Sequence, residues 1–285
     1  MDIGDDGQPY YPLNELANSI INTIPEYVYA QYENPEIPQT DTVEKLREAA
    51  RSIYKIKKYD TMRRWYIEHD ENAQKEIEQT PENNRGEFGE LLLHLILRDF
   101  KETIPLISKV YFKDSLGVPS HGFDAVHISP NEKILWLGES KFYNDGKQGV
   151  GKLLEDLTNH FTRDFLDDQF LIIKKNLTNN SIPQRDEWIN ILSNCSKLQD
   201  KINMINIPML CTYTHDTYQL FSDFANNDAI MYHEASIREL KQYFDENNKH
   251  PLKGRLNIIL LLFPIRDKKE LVIKLHEKLW HMQSM

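Results

Sequence analysis

Three charged residues lie in apolar stretches of the segment HGFDAVHISPNEKILWLGESKFY, residues 121–143: Asp124, Glu139 and Lys141. Charges are disfavoured within strands and are costly when they are buried without a partner. Two neighbouring carboxylates repel each other, and a divalent cation relieves that repulsion. A lysine beside the cation can orient a water or stabilise negative charge on a phosphate. These residue types therefore point to metal-dependent phosphodiester hydrolysis.

Two predicted strands can bring these charges together. Strands over 123–129 and 133–143 are joined by the turn SPNE, so they should pair antiparallel and place Asp124 near Glu139. Alternation along the second strand places Glu139 and Lys141 on the same face. The pattern alone favours ordinary strand charges over a catalytic set. The acid-bearing helix before the strands and the helix that follows them favour the catalytic interpretation.

A third carboxylate is expected from the strongly apolar helix predicted over 86–100. Glu90 precedes the core-type residues Leu93 and Leu97 by three and seven positions, so it lies on their face of the helix. Glu87, about one turn earlier, is the alternative. With the two strand carboxylates, Glu90 would form an oxygen ligand set of the kind that Mg²⁺ or Mn²⁺ binds.

Helices and strands alternate over residues 81–285, which predicts an α/β domain with a mixed sheet. Within it, residues 170–174 are expected to form a short strand. The run GKQGVGK, residues 146–152, lacks the form of a phosphate-binding P-loop and is expected to be a mobile loop beside the site. Residues 1–80 are predicted to form a helical N-terminal region. The polar stretch 68–84 is the predicted linker between this region and the domain that follows.

A basic helix is predicted over 43–66. Eight Lys or Arg residues face three acids between positions 44 and 66, with aromatic residues between them. Four of the basic residues are spaced to share one helix face: Arg47, Arg51, Lys55 and Lys58. Such a face could follow nucleic-acid phosphates, and an ordinary solvated helix face is at least as good an interpretation.

The composition limits the class of protein. A net charge of -10 over 285 residues argues against a basic protein that coats nucleic acid. Cys195 and Cys211 form no Cys-x-x-Cys pair, which argues against a zinc ribbon or a disulfide scaffold. The acidic start is not a signal peptide, and the longest apolar run, 258–265, is too short to span a bilayer. The sequence predicts a soluble, cytoplasmic protein without a membrane partner.

The order of helix acid, strand Asp and strand Glu-x-Lys resembles the PD-(D/E)xK nuclease superfamily. The stretches RGEFGELLLHLILRDF, HGFDAVHI and LWLGESKFY are similar to the HamA family, the nuclease subunits of the Hachiman bacterial anti-phage defence system. The resemblance is strong over residues 81–166 and looser toward the C-terminus. One departure is Phe123, which replaces the proline of the superfamily signature, a change that the superfamily often tolerates.

The resemblance implies a restriction-endonuclease-like core in residues 81–285 and metal-dependent cleavage of DNA. Asp124, Glu139 and Lys141 would be its catalytic signature. It also implies a partner, a HamB-like superfamily 2 helicase that restrains the nuclease until activation leads to DNA degradation and abortive infection. Two alternatives stay open: a non-catalytic subunit that binds and regulates the helicase, and a structure-specific endonuclease similar to a resolvase.

Overall fold

The fold is described here from a computed structural model. The structure describes residues 2–3, 7, 9–29, 41–78, 86–107, 122–129, 131–179, 184–223 and 226–285.

A mixed five-stranded sheet forms the centre of the fold. In chain order the strands are β1 (Asp2–Ile3), β2 (Pro9–Tyr10), β3 (Ile104–Ile107), β4 (Ala125–Ser129), β5 (Ile134–Tyr143), β6 (Ile205–Thr214) and β7 (Asn257–Ile265). The spatial order of the central sheet is β3-β4-β5-β6-β7, and β1 pairs with β2 in a separate ribbon. β3, β4 and β5 pair antiparallel, whereas β6 and β7 run parallel to β5. The predicted α/β class and mixed sheet are confirmed.

Helices precede, separate and follow the strands. In chain order they are α1 (Leu13–Asn22), α2 (Ile24–Tyr29), α3 (Thr42–Ile53), α4 (Tyr59–Tyr66), α5 (Glu71–Glu78), α6 (Glu87–Lys101), α7 (Gly146–His160), α8 (Arg163–Asn179), α9 (Arg185–Asn194), α10 (Leu198–Asn203), α11 (Thr217–Leu220), α12 (Asn227–Asn247) and α13 (Lys268–Ser284). In the described part of the chain, no helix is long and apolar enough to cross a membrane.

Helices cover both faces of the sheet and form two hydrophobic cores. β5 contributes to both, because its alternate residues point to opposite faces. Trp136 packs in a core with residues of α1, α3, α6 and α13, whereas Leu135 and Leu137 pack in a core with residues of α7, α8, α9 and α12. The N-terminal helices thus share a core with α6 and α13. A domain boundary at residue 80 stays a prediction.

The predicted helix over 43–66 is wrong in its middle. α3 ends at Ile53 and α4 begins at Tyr59, although neither proline nor glycine lies between them. Gln283 of α13 supplies the missing backbone partners: its Nε2 donates to the Tyr54 carbonyl at 2.8 Å, and its Oε1 accepts from the Ile56 N–H at 3.2 Å. A buried side chain from the far end of the chain therefore stabilises the break.

Three further local expectations are corrected. Residues 170–174 lie within α8, where Phe170, Ile173 and Leu177 are buried at helical spacing. The run GKQGVGK forms the start of α7 rather than a loop, and its Gly149 packs so closely on β6 that an added Cβ would stand 2.5 Å from Cys211 Sγ. The predicted linker contains α5, and its end, 79–84, lies outside the described residues.

Candidate active site

The carboxylate of Asp124 is fixed by the neighbouring strand. Asp124 lies directly before β4, where its backbone N–H donates to the Gly138 carbonyl at 2.9 Å. The Ser140 N–H and hydroxyl both donate to Asp124 Oδ2, at 2.9 and 3.0 Å. Antiparallel pairing of β4 with β5 thus brings Asp124 beside the Glu-x-Lys segment, as the sequence predicts.

Glu139 is buried on the face of β5 that α7 covers. Only 2% of its surface is exposed, and His160 Nδ1 lies 2.6 Å from its Oε1. Burial raises the pKa of Glu139 to about 8; the hydrogen bond to His160 opposes this change and the charge of Asp124 adds to it. Burial alone would lower the pKa of His160, but its hydrogen bond to Glu139 raises that pKa. Without a cation, the Glu139–His160 pair therefore holds a proton near neutral pH.

Lys141 lies on the same face of β5 and forms an ion pair with Asp156 of α7. Burial opposes the charged form of Lys141, but the pair with Asp156 outweighs it and raises the pKa of Lys141. The charges of Asp124 and Glu139 act in the same direction. Lys141 is therefore a fixed cation beside the two carboxylates, as strand alternation predicts.

Glu90 reaches the site from α6, on the opposite face of the sheet. It is buried, and the Tyr27 hydroxyl donates to its Oε2 at 2.8 Å. Glu90, Asp124 and Lys141 line one open, mostly polar pocket of about 490 Å³. Glu87 is half-buried and does not line that pocket, so the geometry favours Glu90 over Glu87 as the helix acid.

The donor chemistry of Asp124 and Glu139 fits a hard divalent cation. They are neighbouring carboxylates whose mutual repulsion contributes to the raised pKa of Glu139, and a cation between them would offset it. Within the described residues, no group of three His, Cys, Asp or Glu side chains lies close enough together to hold a metal. Glu90 shares the pocket of Asp124 without joining such a group.

A comparison with protein families identifies the chain. The HamA family model matches residues 2–279. The chain belongs to the HamA family. It is therefore associated with Hachiman defence, a system with other components. No curated protein and no solved structure matches the chain.

Two further residues contact the site, and the sequence did not assign either of them to it: Asp156 was not singled out, and His160 fitted a position facing DNA as well as one in the core. Asp156 and His160 of α7 contact Lys141 and Glu139. They are four positions apart, so they lie on one helix face, and this spacing directly after the Glu-x-Lys strand was the available signal. His160 also stacks on Phe165, with ring centroids 4.5 Å apart.

Two other histidines are buried in the core. The Nδ1 of His94 lies 3.0 Å from Nε2 of His127. His127 is also hydrogen-bonded to Thr103 at 2.8 Å, and burial lowers its pKa well below the ordinary value. Both histidines are buried away from the pocket that Asp124 lines.

The predicted basic face of the HamA chain is divided. Arg47 and Arg51 lie on α3, whereas Lys55 and Lys58 follow its end and do not continue its helical face. Lys58 Nζ pairs with Glu76 of α5 at 3.0 Å, which offsets part of the local positive charge. The four residues stay candidates for contact with nucleic acid.

The aromatic residues of this segment serve packing. Tyr66 donates or accepts a 2.8 Å hydrogen bond with His276 Nδ1 of α13, and its ring lies 5.8 Å from that of Trp280. Tyr54 is buried with its ring 6.0 Å from that of Phe88. The rings of these two tyrosines, which lie among the basic residues in sequence, are therefore directed into the core.

Proposed function

We propose that this chain is a metal-dependent deoxyribonuclease and the effector of a Hachiman defence complex. The observation that carries the proposal is the buried, neighbouring pair of Asp124 and Glu139 beside the fixed cation of Lys141; Asp124 and Lys141 line an open polar pocket. Replacing buried charges by apolar residues often stabilises a fold, so their presence points to a chemical use. HamA family membership supports the same conclusion.

Each residue has a role that its surroundings support. Asp124 and Glu139 would hold Mg²⁺ or Mn²⁺, and the bound ion would supply Lewis acidity toward phosphate and water. Glu90 lines the same pocket as Asp124 and stays the candidate for a third ligand, although it does not form a three-residue group with them in this structure. The ammonium of Lys141 stabilises the negative charge that develops on the phosphate under attack and orients the attacking water. Asp156 keeps Lys141 charged and oriented through their ion pair.

His160 controls the proton on Glu139. Because burial raises the pKa of Glu139 to about 8, a proton on this carboxylate must leave before it can bind a cation. His160, 2.6 Å away and half-buried, is the nearest group that can accept the proton. Metal binding is thereby coupled to transfer of this proton from Glu139 to His160.

The partner and substrate belong to the same proposal. A chain with a net charge of -10 gains little from bulk electrostatic attraction to DNA, so a partner that delivers DNA suits it. The family resemblance supports a superfamily 2 helicase as that partner, which would restrain cleavage until activation. The outcome would be degradation of DNA in the infected cell.

The test compares DNA integrity for the wild type and for the double variant Glu139→Ala/Lys141→Ala, with Mg²⁺, each with and without the helicase. Glu155→Ala, which removes an exposed carboxylate of α7, is the matched control. We expect DNA loss with the wild type and the control, and intact DNA with the double variant. Intact DNA in every condition, with the double variant still protective in cells, would instead support a regulatory subunit. Preference for branched over linear DNA would support a resolvase-like endonuclease.

A further inference from the structure

Helix α2 of the N-terminal region reaches the candidate active site through one side chain. The Tyr27 hydroxyl donates to Glu90 Oε2 at 2.8 Å, and both residues are buried. Glu90 lines the pocket that Asp124 and Lys141 also line, whereas Tyr27 does not line it. Any effect of Tyr27 on the pocket is therefore exerted through Glu90.

Two further contacts hold Tyr27 along one face of α6. Glu90, His94 and Arg98 are spaced four positions apart, so they lie on one face of this helix. The ring of Tyr27 packs edge-on against that of His94, with ring centroids 5.5 Å apart. One position before Tyr27, Glu26 accepts a hydrogen bond from Arg98 Nη1 at 2.8 Å. Because α2 is held on α6 over two helical turns, the Tyr27 hydroxyl has a defined position against the Glu90 carboxylate.

Glu90 can contribute to a metal site without contacting the ion. Mg²⁺ usually keeps several of its waters and binds only one or two carboxylates directly. Glu90 fits such a role, because it shares the pocket of Asp124 but joins no three-residue metal group among the described residues. Groups that orient the surroundings of a bound metal change its affinity by roughly 10–100-fold when they are removed. The donor that orients Glu90 is therefore expected to matter for metal binding.

We propose that Tyr27 is a positioning residue for the metal site: its hydroxyl orients the Glu90 carboxylate toward an ion held by Asp124 and Glu139. This inference rests on the proposed metal-dependent function. It makes α2, and with it the N-terminal region, part of the site. A merely structural hydrogen bond would instead satisfy a buried carboxylate, so that its loss would lower the stability of the fold and leave the metal affinity unchanged.

The test measures the Kd of the full chain for Mn²⁺ from the electron paramagnetic resonance signal of the free ion. Tyr27→Phe removes the hydroxyl and keeps the ring against His94, so we expect it to fold. The matched control is Tyr29→Phe, which removes another hydroxyl of α2, one that donates to the Lys45 carbonyl at 2.9 Å. Glu90→Gln and the double variant Tyr27→Phe/Glu90→Gln complete a double-mutant cycle. Thermal melting checks the fold of each variant.

We expect Tyr27→Phe to raise the Kd for Mn²⁺ about three- to tenfold, and Glu90→Gln to raise it about tenfold. The double variant should bind Mn²⁺ as Glu90→Gln alone does, because Tyr27 acts only through Glu90. Tyr29→Phe should change the Kd less than about twofold, although each tyrosine variant loses one hydrogen bond and a similar amount of stability.

The failure of this inference can be distinguished from the failure of the proposed function. If the wild type binds Mn²⁺ and Tyr27→Phe binds it equally well or more tightly, the positioning role of Tyr27 is overturned and the metal site stands. Effects of Tyr27→Phe and Glu90→Gln that add in the double variant would also overturn it, because Tyr27 would then not act through Glu90. If the wild type binds no Mn²⁺, the metal-dependent function itself is overturned.

Discussion

Replacing Glu139 by glutamine should stabilise the metal-free fold. The pKa of Glu139 rises from an ordinary value of 4.5 to about 8. Between these pH values the folded chain binds a proton that the unfolded chain has released. Stability therefore falls as pH rises through this window. The raised pKa of His160 acts with the same sign, and its cause is also the contact with Glu139.

The size of the effect follows from the linkage. Each pH unit above 4.5 lowers the free energy of unfolding by about 1.4 kcal/mol, until the carboxyl of the folded chain ionises. At pH 7, Glu139 therefore destabilises the fold by roughly 3 kcal/mol relative to a side chain that cannot ionise. Glutamine has nearly the same shape and no such cost. Allowing for an imperfect hydrogen bond to His160, we expect Glu139→Gln to gain about 1–3 kcal/mol, or on the order of 5 °C in Tm.

Urea unfolding in EDTA at about pH 5 and about pH 8 measures this difference. The wild type should lose stability between the two conditions, and Glu139→Gln should lose much less. The control Glu155→Gln removes an exposed carboxylate on α7 and should stay within about 0.5 kcal/mol of the wild type at both. Glu139→Gln that is less stable than the wild type at the higher pH, or that keeps the wild-type pH dependence, would refute the reasoning.

Two further variants test the packing and charge around the site. Asp156→Asn should lower the pKa of Lys141, because the ion pair with Asp156 raises that pKa. NMR titration of labelled lysine measures the change. An unchanged pKa would show that Asp156 does not set the charge of Lys141. Gly149→Ala should destabilise the chain by about 1–3 kcal/mol in urea unfolding, because the new Cβ would stand 2.5 Å from Cys211 Sγ. In the control Gly254→Ala the new Cβ meets nothing within 4 Å, so the free energy of unfolding should be nearly unchanged. Equal losses for the two alanine variants would contradict the close packing of α7 on β6.

The strand part of the site was predictable because strand geometry is rigid. Side chains alternate with a period of two, so Glu139 and Lys141 had to share a face once β5 was recognised. A short turn made β4 its antiparallel neighbour and brought Asp124 beside them. Helical periodicity likewise selected Glu90, which the structure places in the pocket.

The parts that sequence reasoning missed depend on distant contacts. Asp156 and His160 reach the site only because α7 packs on β5 in one particular rotation, which no local pattern fixes. The break between α3 and α4 depends on hydrogen bonds from Gln283, more than 200 positions away. The short apolar run in α8 fits a strand or a helix equally well until its neighbours are known.

Cleavage of linear DNA by the wild type and by Glu139→Gln, with Mg²⁺ and the helicase, tests the central claim most directly. The variant is expected to be the more stable protein, so a loss of activity cannot come from unfolding. The account predicts that the wild type cuts DNA and that Glu139→Gln, fully folded, does not. Equal cleavage by the two proteins, or none by the wild type, would contradict it.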